Sequence, residues 1–306
     1  MTTIPAPVFI VGVARSGTSA LYLSLQKHAS FTPTRSRHGF DLTESRVFLD
    51  PSSVRHRRGA AWDFLLHDDA AFRTLERHLH GIPRACDAIH AHAALQRVIS
   101  RRAATRLIWW KLCRRDSLTR AYFTQAAAAR GVRRLVEKTP DHLYRLPEIR
   151  SAFPDACIVC SIRHPLDVFR SYRRRLAAAA DVAAADSPVV RWLGSMNAAS
   201  FVGYYRSIAR EAALASRVLI VRYEEFTASP AAVFQRICTF IGEPFDARCV
   251  EEPTPALNDF VQDPRLARPI EPNDERWQDF VSHDEATHIE DALREPMQQL
   301  GYARRT

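Results

Sequence analysis

The sequence has very little lysine and no long apolar run. Lysine and arginine together number 43 among 306 residues, yet the lysines are only Lys27, Lys111 and Lys138. No apolar stretch approaches the ~18 residues that a membrane-spanning helix needs, and no signal peptide is recognisable. We therefore expect a cytoplasmic protein without a membrane span. No internal repeat divides the chain, which predicts a single domain over residues 1–306.

Cysteine occurs at six positions, but not in a pattern that holds a metal ion. Cys157 and Cys160 have C-x-x-C spacing inside the apolar stretch ACIVCSI, which is typical of a buried strand. Residues three apart on a strand point to opposite faces, and no second pair completes a zinc site. We interpret these cysteines as core residues of a protein in a reducing compartment, and we expect no metal.

Acidic residues are outnumbered, and the formal net charge is +9. This excess fits an anionic ligand, a nucleic acid or simply a basic surface, and charge alone does not choose between them. No alternation of aromatic and basic residues and no recognition motif supports a nucleic-acid partner, so we expect none. Arginine suits phosphate and sulfate, because its planar fork donates two parallel hydrogen bonds.

Strand patterns alternate with helical patterns along most of the chain. Apolar stretches typical of buried strands occupy residues 8–13, 106–112, 133–138, 156–162 and 217–223. This alternation predicts an α/β fold whose central parallel sheet is flanked by helices on both faces. Two helical patterns without a strand between them predict a helical insert at about residues 60–105, and a final helix is expected over 284–300.

The first strand runs into a glycine-bearing loop and then a helical pattern, an arrangement that binds anions. The loop Gly12-Val-Ala-Arg-Ser-Gly-Thr-Ser19 resembles a nucleotide-binding P-loop, but Thr18 stands where the P-loop lysine belongs. Unpaired N–H groups and the helix dipole at a helix start attract negative charge. Thr18 and Ser19 add hydroxyl donors, and Arg15 can supply the missing positive charge from another direction. The alternative is a plain strand-to-helix turn.

A P-loop small-molecule kinase using ATP and magnesium is the alternative enzyme. It needs a magnesium-binding acid, usually at the end of a buried strand. The stretch IVCSIRHP places Arg163 at that point, whereas LIVRYEE offers Glu224 and Glu225. The positive charge of Arg163 favours an arginine rather than a metal ion against the ligand.

Several short motifs together resemble the sulfotransferases that use 3′-phosphoadenylyl sulfate (PAPS), especially the bacterial and protein-tyrosine-type branch. The motifs are, in order, VGVARSGTSAL, ESRVF, EKTP, IRHPLDVFRSYRR, VRYEEF and QLGY. Each is modest alone, but their order and spacing cover most of the chain. The resemblance implies a P-loop-like fold, PAPS as donor, the 3′,5′-bisphosphate PAP as product and no metal.

The resemblance also assigns residues that hold PAPS. The cradle for the 5′-phosphosulfate comprises Arg15, Ser16, Gly17, Thr18 and Ser19. Arg163 and Ser171 clamp the 3′-phosphate, and Arg175 lies one helical turn after Ser171 and can face the same way. Tyr223 would lie near the adenine, and Arg268 would be a further contact. The structural alternatives are a surface ion pair for Arg163, a helix-filling serine for Ser171 and a core residue for Tyr223.

The reaction implied is in-line sulfuryl transfer to a hydroxyl or amine. Glu44 matches the general base of the family, with a solvated loop acid as its alternative. His38 is a rival base, because histidine titrates near neutral pH. Lys138 follows a predicted strand at the sheet edge where α/β ligands bind, and with Arg15 it would stabilise the departing phosphate oxygen.

The acceptor is expected to carry a hydroxyl group on a peptide tyrosine, a carbohydrate, a lipid or a natural product. Arginines cluster near Glu44, at positions 35, 37, 46, 55, 57 and 58. They could line a site for an acidic acceptor or belong to a solvated basic loop.

Overall fold

The described strands form a four-stranded, all-parallel sheet. The computed structural model describes residues 5–34, 45, 47–48, 115–180, 194–251, 266, 269–272 and 276–306. The strands are β1 (Val8–Gly12), β2 (Val136–Lys138), β3 (Cys157–Ile162) and β4 (Val218–Arg222). Their order across the sheet is β2-β1-β3-β4. The predicted α/β class with a central parallel sheet is confirmed.

Helices connect the strands and follow the last of them. The α-helices are α1 (Thr18–Leu25), α2 (Arg115–Arg130), α3 (Leu146–Ala152), α4 (Pro165–Ala180), α5 (Ala198–Leu214), α6 (Tyr223–Ala228), α7 (Pro230–Ile241), α8 (His283–Ala292) and α9 (Arg294–Gln299). Short 3₁₀ helices span Pro140–Arg145, Ala247–Cys249 and Trp277–Asp279. Among these described helices, none is long and apolar enough to cross a membrane.

The register of the sheet brings the carboxyl ends of the strands to one edge. Ile10 pairs with Lys138, and two residues later Gly12 pairs with Ser161. On the other side of β3, Ile162 pairs with Arg222. Ligands of open α/β sheets bind at this carboxyl edge, so the segments that follow β1, β2, β3 and β4 are the ones that can build a site.

The core is built around β1, which is buried along its whole length. A strand covered on both faces needs a continuous apolar run, which VFIVG supplies. Phe9 extends this core into an aromatic cluster, with ring centroids 5.5 Å from Phe123 and 6.0 Å from Phe153. Truncating such a buried ring to alanine typically costs about 3–5 kcal/mol. The cluster therefore ties α2 and α3 to the sheet.

Some elements differ from the sequence-based expectation. The predicted final helix is in fact two helices, α8 and α9, which meet at Leu293. Helix α5 begins after Asn197, whose side chain accepts a hydrogen bond from the Ser200 amide at 2.9 Å. Helix α3 and the 3₁₀ helix before it were not among the predicted elements. The expected insert at 60–105 and the expected strand at 106–112 lie outside the described residues. Cys157 and Cys160 are free thiols on β3, and burial raises the pKa of Cys160 to about 12.

Candidate active site

Two glycines let the loop after β1 lie against its neighbours. Gly12 has φ of 129°, and a Cβ there would stand 2.0 Å from the carbonyl oxygen of Ser161. Gly17 has φ of 85°, and a Cβ there would stand 2.6 Å from Cδ2 of Tyr223. Both positions combine a left-handed backbone with a close approach, so only glycine fits. The loop is thereby held between β3 and α6.

Serine side chains fasten this loop to β3 from within. The Ser16 hydroxyl lies 2.5 Å from the Val13 carbonyl oxygen and 2.9 Å from that of Ser161. In return, the Ser161 hydroxyl donates to the Ser16 carbonyl at 2.6 Å, and the Val13 amide donates to the Ser161 carbonyl at 3.0 Å. Ser16 is fully buried, and its amide also bonds within the loop, to Val13 at 3.2 Å. Ser16 therefore shapes the cradle.

The start of α1 presents amide groups at the carboxyl edge of the sheet. The helical hydrogen bonds begin with the Leu21 amide, which donates to the Gly17 carbonyl at 3.0 Å. The amides of Thr18, Ser19 and Ala20 precede this bond, in the turn where helices leave N–H groups for a ligand. Thr18 is buried and Ser19 is half-buried. The backbone geometry here is of the kind that can bind an anion.

Arg15 connects the loop to α4. Its backbone is left-handed, with φ of 73°, which is uncommon for a residue with a side chain. Its Nε donates to the Ser171 hydroxyl at 3.1 Å, and its carbonyl accepts from Nη1 of Arg163 at 3.4 Å. The residues predicted for the 5′-phosphosulfate and for the 3′-phosphate are therefore neighbours.

Arg163 follows β3 and lies almost buried at the site, with 6% of its surface exposed. Its guanidinium carbon is 4.1 Å from the centroid of the Tyr223 ring, and the Tyr205 hydroxyl donates to its carbonyl at 2.7 Å. Its Nε is buried and has no hydrogen-bond partner among the described residues. An orphaned, charged N–H donor costs free energy unless an anion accepts from it. The residues present therefore fit a phosphate group here.

Arg170 is a buried arginine that the sequence did not single out. Its pKa is lowered to about 10, mainly by burial and also by repulsion from Arg163 and Arg174, while Asp167 and Tyr223 act in the opposite direction. Clustered arginines with mutual repulsion form a positive centre that favours an anionic ligand. The sequence did indicate Arg170 indirectly, because it stands directly before Ser171 in the motif IRHPLDVFRSYRR, but its burial is visible only in the structure.

The remaining predicted residues fall into two groups. Lys138 ends β2 and is almost fully buried, opposite Ile10 in the sheet, while Arg175 is half-buried on α4. Glu44, His38 and Arg268 lie outside the described residues, as do the arginines at 35, 37, 46, 55, 57 and 58.

The acids that a kinase would use are bound elsewhere. Glu224 accepts from the His164 amide and from the Tyr302 hydroxyl, both at 2.9 Å. Glu225 forms ion pairs with Arg222 and with Arg236. These contacts tie both carboxylates to the scaffold around β4, so neither is directed at the loop through its hydrogen bonds.

These features define an α/β protein with a P-loop-like strand, loop and helix at its N-terminus, and with Arg15 and Arg163 in contact at that loop. A model of the sulfotransferase family matches residues 7–247. The chain belongs to the sulfotransferase family, and the class of enzyme that this membership gives is a sulfotransferase. The family resemblance drawn from the motifs is thereby confirmed.

Solved structures share the fold over nearly the whole chain. A sulfotransferase domain from the Synechococcus PCC 7002 olefin synthase is 19% identical, with a TM-score of 0.52, covering 95% of this chain and 96% of that one. A sulfotransferase domain from the curacin biosynthetic pathway is 16% identical, with a TM-score of 0.50, covering 99% and 100%. Sulfotransferase STF9 from Mycobacterium avium is 13% identical, with a TM-score of 0.50, covering 99% and 78%. No curated protein sequence matches the chain.

Proposed function

We propose that this chain transfers the sulfuryl group from PAPS to a hydroxyl group of an acceptor, without a metal cofactor. The observation that supports the proposal is that the loop before α1 contacts the residues proposed for the 3′-phosphate, because Arg15 donates to the Ser171 hydroxyl and Arg163 donates to the Arg15 carbonyl. PAPS carries its phosphosulfate and its 3′-phosphate on one ribose, so a site that selects it needs two such neighbouring positions.

PAPS supplies an activated sulfuryl group joined to a good leaving group. In this proposal the amides of Thr18 and Ser19 and the charge of Arg15 hold the 5′ end, and Ser16 and Gly17 shape the cradle. Arg163, Ser171 and Arg175 hold the 3′-phosphate, with Arg170 adding positive charge behind them. Tyr223, beside the Arg163 guanidinium, is the proposed contact for the adenine, and Arg268 is a further proposed contact.

Glu44 is the proposed general base, with His38 as the rival. The base takes the acceptor proton while the acceptor oxygen bonds to sulfur and the bond from sulfur to the bridging phosphate oxygen breaks. Lys138 and Arg15 stabilise the negative charge that develops on that oxygen. The products are the sulfated acceptor, PAP and one proton, so the charges balance without a redox partner.

We also propose that the chain works as one domain in the cytoplasm, with residues 60–105 as its helical insert and without a nucleic-acid partner. The acceptor is a hydroxyl compound: a peptide tyrosine, a carbohydrate, a lipid or a natural product. A panel with one member of each class, assayed by PAP release from PAPS, identifies which class accelerates the release above its rate in water.

The decisive experiment compares thermal stabilisation by PAP with that by ADP, ATP and AMP, with and without magnesium. A ligand at 100 times its dissociation constant adds ~2.7 kcal/mol to the unfolding free energy, which is readily measured. We expect a large shift with PAP that is indifferent to magnesium. A magnesium-dependent shift with ATP and none with PAP would refute the proposal and support a small-molecule kinase.

A further inference from the structure

Glu137 is a fully buried carboxylate on β2, directly before Lys138. Its Oε1 accepts from the Ser45 amide at 3.2 Å, from the Ser45 hydroxyl at 2.7 Å and from the Thr139 hydroxyl at 2.6 Å. Its Oε2 lies 3.0 Å from Nδ1 of His142. A carboxylate with four donors around it is satisfied as an anion.

His142 connects Glu137 to a second residue near Ser45, namely Phe48. The Phe48 amide donates to Nε2 of His142 at 3.4 Å, so Nδ1 carries the proton that is donated to Glu137. The Phe48 ring packs edge-on against His142, with centroids 5.2 Å apart, and both residues are fully buried. Residues 45 and 48 are therefore both attached to the carboxyl end of β2 and the 3₁₀ helix after it.

Burying a carboxylate in a protein core costs desolvation free energy. Apolar residues of similar volume often give equal or greater stability at such positions. Directional hydrogen bonds offer something that apolar packing does not, namely a defined location for a particular backbone group. Here that group is the Ser45 amide, whose nitrogen is bonded to the carbonyl carbon of Glu44.

We propose that Glu137, supported by His142, is a positioning residue that fixes the peptide between Glu44 and Ser45 and so sets the general base relative to Lys138. This inference rests on the proposed function, in which Glu44 is the base. Lys138 is the next residue after Glu137. The end of β2 would therefore align two proposed catalytic residues, Glu44, which takes the acceptor proton, and Lys138, which stabilises the leaving oxygen.

The first test compares Glu137→Gln with a matched control, Glu243→Gln. Glu243 is also a nearly buried carboxylate, which accepts from Ser30 at 2.8 Å and from Arg134 at 3.2 Å, and it lies just after α7. Turnover is measured as PAP release from PAPS, with 4-nitrophenol and with water as acceptors. We expect kcat to fall about 10- to 100-fold in Glu137→Gln, as a misplaced group causes, and to stay within about 2-fold in Glu243→Gln.

Two further measurements, PAP affinity and the effect of Glu137→Gln in a Glu44→Gln background, distinguish a positioning role from a general loss of structure. PAP affinity of Glu137→Gln should stay within about 3-fold of wild type. In a Glu44→Gln background the same substitution should lower kcat by less than about 3-fold, because the base through which Glu137 acts is already absent. Equal losses in both backgrounds, or a weakened PAP affinity that matches the lost turnover, would overturn the proposal.

A milder pair keeps the test decisive if Glu137→Gln does not fold. Ser45→Ala removes the 2.7 Å hydrogen bond to Glu137 and leaves the carboxylate in place, whereas Ser45→Thr keeps the hydroxyl. We expect kcat to fall several-fold in Ser45→Ala and to recover in Ser45→Thr, and equal rates in both would contradict the inference. Failure of the proposed function looks different, since wild type would then not bind PAP, or Glu44→Gln alone would keep full turnover.

Discussion

Arg15 combines a strained backbone with a charged side chain at the centre of the site. Its φ of 73° lies in a region that glycine adopts freely but that costs a residue with a Cβ about 1–3 kcal/mol. The conformation sends Nε to the Ser171 hydroxyl. Strain of this kind persists where function needs the side chain in that direction.

Replacing Arg15 by glycine should separate stability from ligand binding. We expect Arg15→Gly to unfold with a free energy equal to wild type or about 1 kcal/mol higher, because the strain is relieved. PAP affinity should fall about 10- to 100-fold, since charge-assisted hydrogen bonds are lost. Urea denaturation and calorimetric titration measure the two quantities. Unchanged PAP affinity would remove Arg15 from the cradle.

Arg163 should decide the selectivity for a 3′-phosphate. Its buried Nε lacks a partner among the described residues, so a phosphate there gains a charge-assisted hydrogen bond. We expect Arg163→Ala to weaken PAP binding about 10- to 100-fold and ADP binding much less. Arg294→Ala is the control, because Arg294 is exposed and pairs with Asp291. A preference for PAP over ADP as large as in wild type would show that the 3′-phosphate binds elsewhere.

The junction of β1 and its loop depends on a close approach to β3. Gly12→Ala would place Cβ 2.0 Å from the Ser161 carbonyl oxygen, so the two strands must separate locally. We expect a loss of at least ~2 kcal/mol in the unfolding free energy, together with weaker PAP binding. Gly203→Ala is the matched control: a Cβ there meets no atom within 4 Å, and alanine favours a helix by about 0.5–1 kcal/mol. A tolerated Gly12→Ala would contradict the described packing.

The residue before helix α4 is a histidine, His164, whose surroundings favour the neutral imidazole. Burial lowers the pKa of His164, and Arg305 lowers it further, although the Ala303 carbonyl, Asp167 and Glu290 oppose this. Its Nδ1 accepts from the Leu166 amide at 3.3 Å, which requires an unprotonated nitrogen. The unfolded chain therefore binds a proton more readily than the folded one. Stability from this group is present above pH ~6.5 and is lost as the pH falls below that value.

The His164→Asn variant tests this pH dependence. Asparagine keeps an acceptor at the helix start but does not titrate. We expect the unfolding free energy to fall less between pH 7.5 and pH 5.5 in the variant than in wild type, as measured by urea denaturation at both values. Parallel losses in the two proteins would assign the pH dependence to other groups.

Much of the whole molecule was predictable from apolar runs and turn chemistry. Strands β1 and β3 lie in continuous apolar stretches, which are typical of a sheet covered on both faces, and β4 lies in a similar stretch although most of its residues are only partly buried. Helix α7 begins at Pro230 and ends before Gly242, which has φ of 73°, so local signals define both of its ends. In the site, the loop and Arg163 were predictable because each stands directly after such a strand.

The contacts that complete the site were not predictable, because they join residues far apart in the chain. Ser45 and Glu137 are 92 positions apart, and each reads in isolation as an ordinary polar residue. Burial of Arg170 depends on how α4 packs and not on its own neighbours in sequence. Strand β2 covers only Val136–Lys138 of the predicted strand 133–138. Arg134 lies before it, and its side chain donates to the carbonyls of Ala6 and Ile241. Such partners are defined only by the complete fold.

The reciprocal hydrogen bonds between Ser16 and Ser161 also bear on the kinetics of the molecule. Because these bonds hold the loop after β1, the loop loses its conformational entropy when the chain folds. Little further ordering of the loop is then needed when a nucleotide binds. Nucleotide association should therefore be a single step, with an observed rate that rises linearly with PAP concentration and shows no plateau in stopped-flow fluorescence. The amide protons of Val13 and Ser16 should exchange with solvent as slowly in the free protein as in the complex.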